Sequence, residues 1–200
     1  SYKSLYEAIF HSSVYNHTNV KVDWIDAVKL KNEECCEKYL SKFNGILVPG
    51  GFGHRGVNGK ILAINFAKRK KKPFLGICVG MQLLAIEGKE KGNHKGLGWI
   101  KGKVVKIKKN KKIKIPHMGW NTVKIISKHP ILKRKKFESY FVHSYNFICQ
   151  DKKNVLATCD YQQSITAIVG KENIIGTQFH PEKSQKIGLE ILKNFIRWIY

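Results

Sequence analysis

The stretch Pro73-Phe-Leu-Gly-Ile-Cys-Val-Gly-Met-Gln-Leu-Leu84 limits what this chain can fold into more than any other. PFLGI is an apolar run of strand length, and MQLLAIEG reads as the start of a helix. Between them lies Cys78, flanked by Gly76 and Gly80 in a G-x-C-x-G frame. Such a frame predicts a tight strand-to-helix turn that lifts the middle side chain over the sheet edge, with glycines where a Cβ would clash. A thiol in that place meets a helix N-terminus, whose amides and dipole favour the thiolate. The N–H of Val79 is then aimed at charge developing on a substrate oxygen. For one cysteine alone the plainer reading is a buried structural residue. The remaining motifs point towards chemistry.

Gly176-Thr-Gln-Phe-His-Pro-Glu182 ends a strand with a histidine and a carboxylate two residues apart. Pro181 biases His180 towards an extended backbone, and in that conformation positions 180 and 182 share a side. Glu182 can then orient one imidazole nitrogen and aim the other at a nucleophile. A second glycine-rich stretch, Pro49-Gly-Gly-Phe-Gly-His-Arg-Gly56, follows a buried strand and offers backbone amides unshielded by side chains. It matches neither phosphate-loop nor dinucleotide fingerprints. As the other half of an oxyanion hole it fits, because parallel strands bring their C-terminal ends to one edge.

Around these motifs the first half alternates strand and helix. Residues 2–13 place Leu5, Ala8, Ile9 and Phe10 on one helical face, residues 20–27 alternate like a strand, and 31–43 form a polar-faced helix. A strand at 45–53 and an amphipathic helix at 59–72 lead into PFLGI. The second half is rich in β segments separated by turns, closed by an amphipathic helix at 188–200. The expected fold is α/β: a mostly parallel central sheet flanked by helices, with added antiparallel strands, in one domain over residues 1–200. The chain enters directly on a helix, so the strand that should precede it in such a sheet is missing from the sequence.

Composition excludes several function classes. The 42% hydrophobic content over 200 residues supplies a sizeable core, while no apolar run reaches bilayer length and no signal peptide is visible. The five cysteines show no C-x-x-C spacing, which argues for reduced thiols in the cytoplasm and against a zinc site or disulfide framework. A balance of 37 basic to 14 acidic residues invites a nucleic-acid reading. The basic runs are mostly Lys, however, without interleaved aromatics or a binding motif, and read as a solvated surface.

Taken together, LGICVGMQ, LVPGG and QFHPE resemble the class I glutamine amidotransferases, whose glutaminase domains use Cys, His and Glu. Residues 2–87 are similar to the glutaminase domain of CTP synthase, through YKSLYEAIFHS, VDWIDA and GILVPGGFGHRGVNGKILAINFAKRKKKPFLGIC. Residues 88–200 resemble the glutaminase subunit of imidazole glycerol phosphate synthase, through HKGLGWIKGKVVKI, KIPHMGWN, YFVHSY and GTQFHPEKSQKIGLEILKNF. Departures are Val79 where both families carry Leu, and Arg55-Gly-Val-Asn58-Gly where the CTP synthase loop reads R-G-x-E-G.

The resemblance implies that Cys78 attacks the side-chain amide of glutamine, with amides of Gly50 or Gly51 and of Val79 holding the oxyanion. It implies that His180 protonates the departing ammonia and then activates water, with Glu182 orienting it. Gln82 and Glu90 match positions that hold the substrate's amino-acid end, and Ser144 and Tyr145 match the segment receiving its carboxylate. His117, Met118, Trp120 and Asn121 match a loop facing the synthase partner. No cofactor and no metal is implied. The preferred partner is the (β/α)₈ cyclase of histidine biosynthesis, because the second-half motifs are the more pathway-specific. The alternative is the glutaminase domain of CTP synthase, and a reading from another class is a silent scaffold or a basic nucleic-acid binder.

Overall fold

The structure, a computed structural model, describes residues 2–14, 20–51, 56–109 and 113–200. Its first helix, α1 (Lys3–Val14), buries Leu5, Ala8 and Ile9 as the sequence pattern predicts. Phe10, expected on the same face, is exposed and stacks on Tyr6 instead. The alternating residues 20–27 form no strand. Val20 and Val22 pack on the core without a ladder partner, and Asp26 accepts from the Val28 N–H to start a 3₁₀ turn, Ala27–Lys29. Helix α2 (Glu33–Leu40) starts on Asn32, whose side chain accepts from the Cys35 N–H at 2.8 Å. Then follow β1 (Ile46–Val48), α3 (Val57–Arg69), β2 (Phe74–Ile77) and α4 (Val79–Gln82).

The second half runs through β3 (Glu87–Gly88), β4 (His94–Lys95), β5 (Gly102–Lys106), β6 (His117–Ile125), β7 (Lys136–His143), β8 (Tyr145–Cys149), β9 (Val155–Asp160), β10 (Ser164–Lys171) and β11 (Ile174–Thr177). A 3₁₀ turn, Pro181–Lys183, and helix α5 (Gln185–Ile196) close the order. Seven strands make one sheet in the order β1-β2-β11-β10-β9-β6-β7, and β4-β3-β5-β8 make a second. The parallel part of the large sheet is β1, β2 and β11, in which Gly76 pairs with both Val48 and Gly176. The antiparallel strands extend that parallel core sideways within the same sheet.

Strand β2 is buried throughout, and its alternation divides the core. Leu75 and Ile77 join Leu5, Ala8 and Ile9 of α1 and Ile191 and Leu192 of α5. Phe74 faces the opposite layer, with Ala63, Ile64, Phe66 and Ala67 of α3 and Cys36 and Leu40 of α2. The chain is therefore helix, sheet, helix in cross-section, and β2 emerges from the middle layer with its C-terminal end free to present Cys78. No helix among the described residues is long and apolar enough to cross a membrane.

The helix expected from MQLLAIEG lasts a single turn. Downstream backbone competes for its carbonyls: Leu97 N–H bonds Leu83 O at 3.0 Å, Trp99 N–H bonds Leu84 O at 3.0 Å and Gly98 N–H bonds Ala85 O at 2.8 Å. The far end of the chain is fitted as closely. A Cβ on Gly188 of α5 would lie 1.8 Å from the Pro181 carbonyl oxygen, so α5 lies directly against the turn that carries Glu182. Gly188→Ala must push that turn away. It is expected to lower unfolding stability by about 1–3 kcal/mol in urea titration, and to depress turnover beyond what the lost stability explains.

Candidate active site

Cys78 joins β2 to α4 with φ 53° and ψ −107°, a backbone that side-chain-bearing residues rarely adopt. The flanking glycines have no room for anything larger. A Cβ on Gly76 would lie 2.5 Å from the Gly80 carbonyl oxygen, and one on Gly80 would lie 2.5 Å from that of Val48. The turn predicted from the G-x-C-x-G frame is thus present, with the side chain half-buried at the sheet edge. The helix dipole contributes less than the sequence suggests, because a one-turn helix has little macrodipole. The positive neighbour of the thiol is a side chain.

That side chain is His180. It follows β11, the strand beside β2, in the extended conformation expected before Pro181. Its N–H bonds Tyr140 O at 3.0 Å, and its own carbonyl accepts from the Ser184 hydroxyl at 2.7 Å, so the backbone is held on two sides. Nδ1 meets Glu182 Oε1 at 2.8 Å, and the ring lies beside the Cys78 side chain, both packed against Gly50. Burial opposes charge on the ring, but the hydrogen bonds with Cys78 and Glu182 outweigh it and push the pKa up to about 9. Elsewhere burial, with a nearby aspartate, pushes the Cys149 and Cys159 thiols up to about 12. Among the described residues only Cys78 is given an imidazole partner.

The structure gathers most of the expected residues and separates others. A Cβ on Gly50 would lie 3.0 Å from His180 Cε1 and 3.3 Å from Cys78 Cβ, so the Gly50 backbone covers the pair. Gly51 is exposed and faces Tyr2 and Lys60. Residues 52–55 of the same stretch, with Arg55, lie outside the described residues. Gln82 is half-buried and donates to Gln178 Oε1 at 3.0 Å, and Gln178 Nε2 approaches Cys78 Sγ at 3.6 Å. The sequence motifs do not single out Gln178, although the period of two that pairs His180 with Glu182 also puts 178 on their side. Glu90 is exposed, two residues beyond Gly88, whose partner in β5 is Val104. The ladder ends there, and Glu90 stands in the turn that follows.

His117, Met118, Trp120 and Asn121 stand on strand β6 rather than on a loop. Alternation divides them: Met118 and Trp120 are 60% and 48% exposed, whereas His117 is 2% exposed and cannot meet a partner. Asn121 bonds His117 and the Asp160 carbonyl. Among the described residues no three His, Cys, Asp or Glu side chains cluster as a metal ion requires.

Comparison with known proteins gives the family. The family described as glutamine amidotransferase class-I matches residues 1–198. The "Imidazole glycerol phosphate synthase subunit HisH" of Rhodopseudomonas palustris is 48% identical over 153 residues, 73% of this chain and 71% of that protein. A protein of Methanococcus maripaludis, "Imidazole glycerol phosphate synthase subunit HisH 2", is 46% identical over 169 residues, 79% of this chain and 82% of its own length. Both alignments cover more of the chain than residues 88–200 supply, so this likeness extends into the first half. Among solved structures, the glutaminase domain of Trypanosoma brucei CTPS with bound acivicin superposes with a TM-score of 0.75 at 22% identity, covering 100% of this chain and 89% of that one. A glutamine amidotransferase from Thermotoga maritima gives 0.63 at 20% identity, covering 86% and 70%. At these identities the structural likeness speaks for the fold.

The raised His180 pKa has a consequence for stability. A value of about 9 in the folded chain, against about 6.5 when unfolded, stabilises fully below the lower value and is lost as pH rises through the upper one. The thermal midpoint is expected to fall between pH 7 and pH 9.5. The fall should be shallower in Cys78→Ala, whose His180 lacks one of its two partners; equal slopes would deny the Cys78–His180 interaction.

Proposed function

The chain belongs to the class-I glutamine amidotransferases, and we propose that its Cys78, His180 and Glu182 hydrolyse glutamine to glutamate and ammonia for a synthase partner. The observation that carries this reading is the contact chain Cys78–His180–Glu182 at a strained strand end, covered by the Gly50 backbone.

Cys78 Sγ attacks the side-chain amide carbon of glutamine. The carbonyl oxygen takes up negative charge against the N–H of Val79 and an amide of Gly50 or Gly51. His180 passes a proton to the departing nitrogen, ammonia leaves, and a thioester to Cys78 remains. His180 then takes a proton from water as it attacks the thioester, and glutamate and the thiol are released. Glu182 keeps the imidazole turned towards sulfur throughout, and its charge favours the imidazolium. Gln178, held by Gln82, borders the sulfur as well. Glu90 and the Ser144-Tyr145 segment receive the amino-acid end of the substrate.

The synthase served is imidazole glycerol phosphate synthase. In this reading its (β/α)₈ cyclase covers the face bearing Met118 and Trp120, and the relatives at nearly 50% identity support the assignment. CTP synthase remains the competing acceptor on the strength of the first-half motifs. Its arm belongs in the same experiment.

Cys78→Ala is expected to abolish glutamate release while leaving the thermal transition cooperative, since the side chain is half-buried at the edge of the core and the change removes a single atom. Turnover surviving in that variant removes the covalent mechanism. Trp120→Ala is expected to reduce cyclase-stimulated turnover by about tenfold and basal turnover much less. Stimulation by the ammonia-accepting synthetase domain of CTP synthase, with none by the cyclase, would reassign the acceptor.

A further inference from the structure

Strands β6 and β7 pair His117 opposite His143, and both side chains are buried. Their rings are joined, with His117 Nδ1 2.9 Å from His143 Nε2. At one end His143 Nδ1 lies 2.7 Å from Tyr145 O. At the other, Asn121 Nδ2 lies 3.2 Å from His117 Nε2 and donates to Asp160 O at 2.8 Å. Both ends are carbonyls, which only accept, and this sets every proton in between. His143 must carry its proton on Nδ1 to reach Tyr145, so its Nε2 accepts from His117 Nδ1–H. His117 Nε2 then accepts from the second N–H of Asn121. Burial pushes both pKa values down to about 4, aided by His143 at His117 and by His180 at His143 and opposed at His143 by its bond to Tyr145, so both rings are neutral at ordinary pH. Phe141 and Tyr161 stack on either side of His117, with ring centroids at 4.7 and 4.0 Å.

An apolar core would serve stability equally well, since buried polar rings are costly unless every group is paired. What sets this chain of hydrogen bonds apart is where it ends. Ser144 is the single residue between β7 and β8. Its carbonyl accepts from Ile107 N–H at 2.9 Å, and a trans peptide therefore turns the Tyr145 N–H to the opposite side. Fixing the Tyr145 carbonyl as well leaves Tyr145 held on both of its peptide planes. Asn146 is tied to Thr166 and Ser164.

We propose that His117 and His143 are positioning residues for glutamine: a proton-ordered strut that sets the backbone of Ser144-Tyr145 for the substrate's α-carboxylate without touching the reacting atoms. The proposal rests on the reading above that this segment receives the carboxylate.

The test compares His143→Phe, which fills the space without a donor, with His143→Asn, whose Nδ2 reproduces the Nδ1 donor. KM for glutamine is measured, or its Kd in the Cys78→Ala background, together with the rate at which iodoacetamide alkylates Cys78. Iodoacetamide has no α-carboxylate. Phe is expected to raise KM or Kd about tenfold or more, to lower kcat by no more than about threefold, and to leave alkylation within about twofold of the parent. Asn is expected to restore most of the affinity. His117→Phe, which keeps the stacking but withdraws the donor to His143, should show a smaller rise that His117→Asn corrects. This second pair decides the matter if His143→Phe does not fold. The proposal is overturned if Asn is no better than Phe, if kcat falls at constant KM, or if alkylation slows in parallel. Failure of the underlying glutaminase reading looks different: it is turnover that survives in Cys78→Ala.

Discussion

The site depends on the backbone of one residue. Cys78 holds a conformation that costs about 1–3 kcal/mol for a residue with a side chain, and it persists only because its surroundings leave no alternative. Its N–H is bound to Thr177 O at 2.7 Å, and its carbonyl takes N–H groups from Met81 and Gln82. Strand β2 is flanked by parallel partners on both sides, so the chain cannot relax at its end. The glycine gaps at 76, 80 and 176 let α4 seat against β1, β2 and β11 at distances no Cβ permits. Strain at the nucleophile and close packing beneath it are the same arrangement viewed from two ends.

Electrostatics then separate three histidines, two buried and one half-buried, that composition treats alike. His180 is pushed up to about 9, while His117 and His143 are pushed down to about 4. Burial acts in the same direction on all three. The difference lies in the partners: His180 faces a sulfur and a carboxylate, whereas the other two face each other, an amide and carbonyl oxygens, with His180 itself adding like charge at His143. One ring is thereby suited to exchanging protons and two are suited to holding them in place.

Local chemistry misleads where a tertiary partner competes or is missing. Residues 20–27 alternate as a strand does, yet a strand needs a neighbour for its ladder, and Asp26 draws the backbone into a turn instead. MQLLAIEG has good helix formers, but Leu97, Gly98 and Trp99 supply donors to its carbonyls and end the helix after Gln82. His117 is picked out by motif resemblance, and motif matching cannot say which way a β-strand faces. The pairing of β6 with β7 turns it inward and leaves Met118 and Trp120 outside.

What the sequence determined by itself is everything that depends on neighbours a few residues away. The nucleophile turn follows from Gly76 and Gly80 around Cys78, the orientation of His180 from Pro181 and the two-residue spacing to Glu182, and the buried stripe of α1 from Leu5, Ala8 and Ile9. These are steric and periodic effects that act within one element. Tertiary structure alone decided which residues meet across elements: Gly50 over the Cys78–His180 pair, Gln82 and Gln178 beside the sulfur, and Asn121, His117 and His143 in line with Tyr145. Those meetings are set by strand order and register, which bring together residues a hundred or more positions apart in sequence, as with Gly50 and His180, through backbone hydrogen bonds that no local pattern encodes.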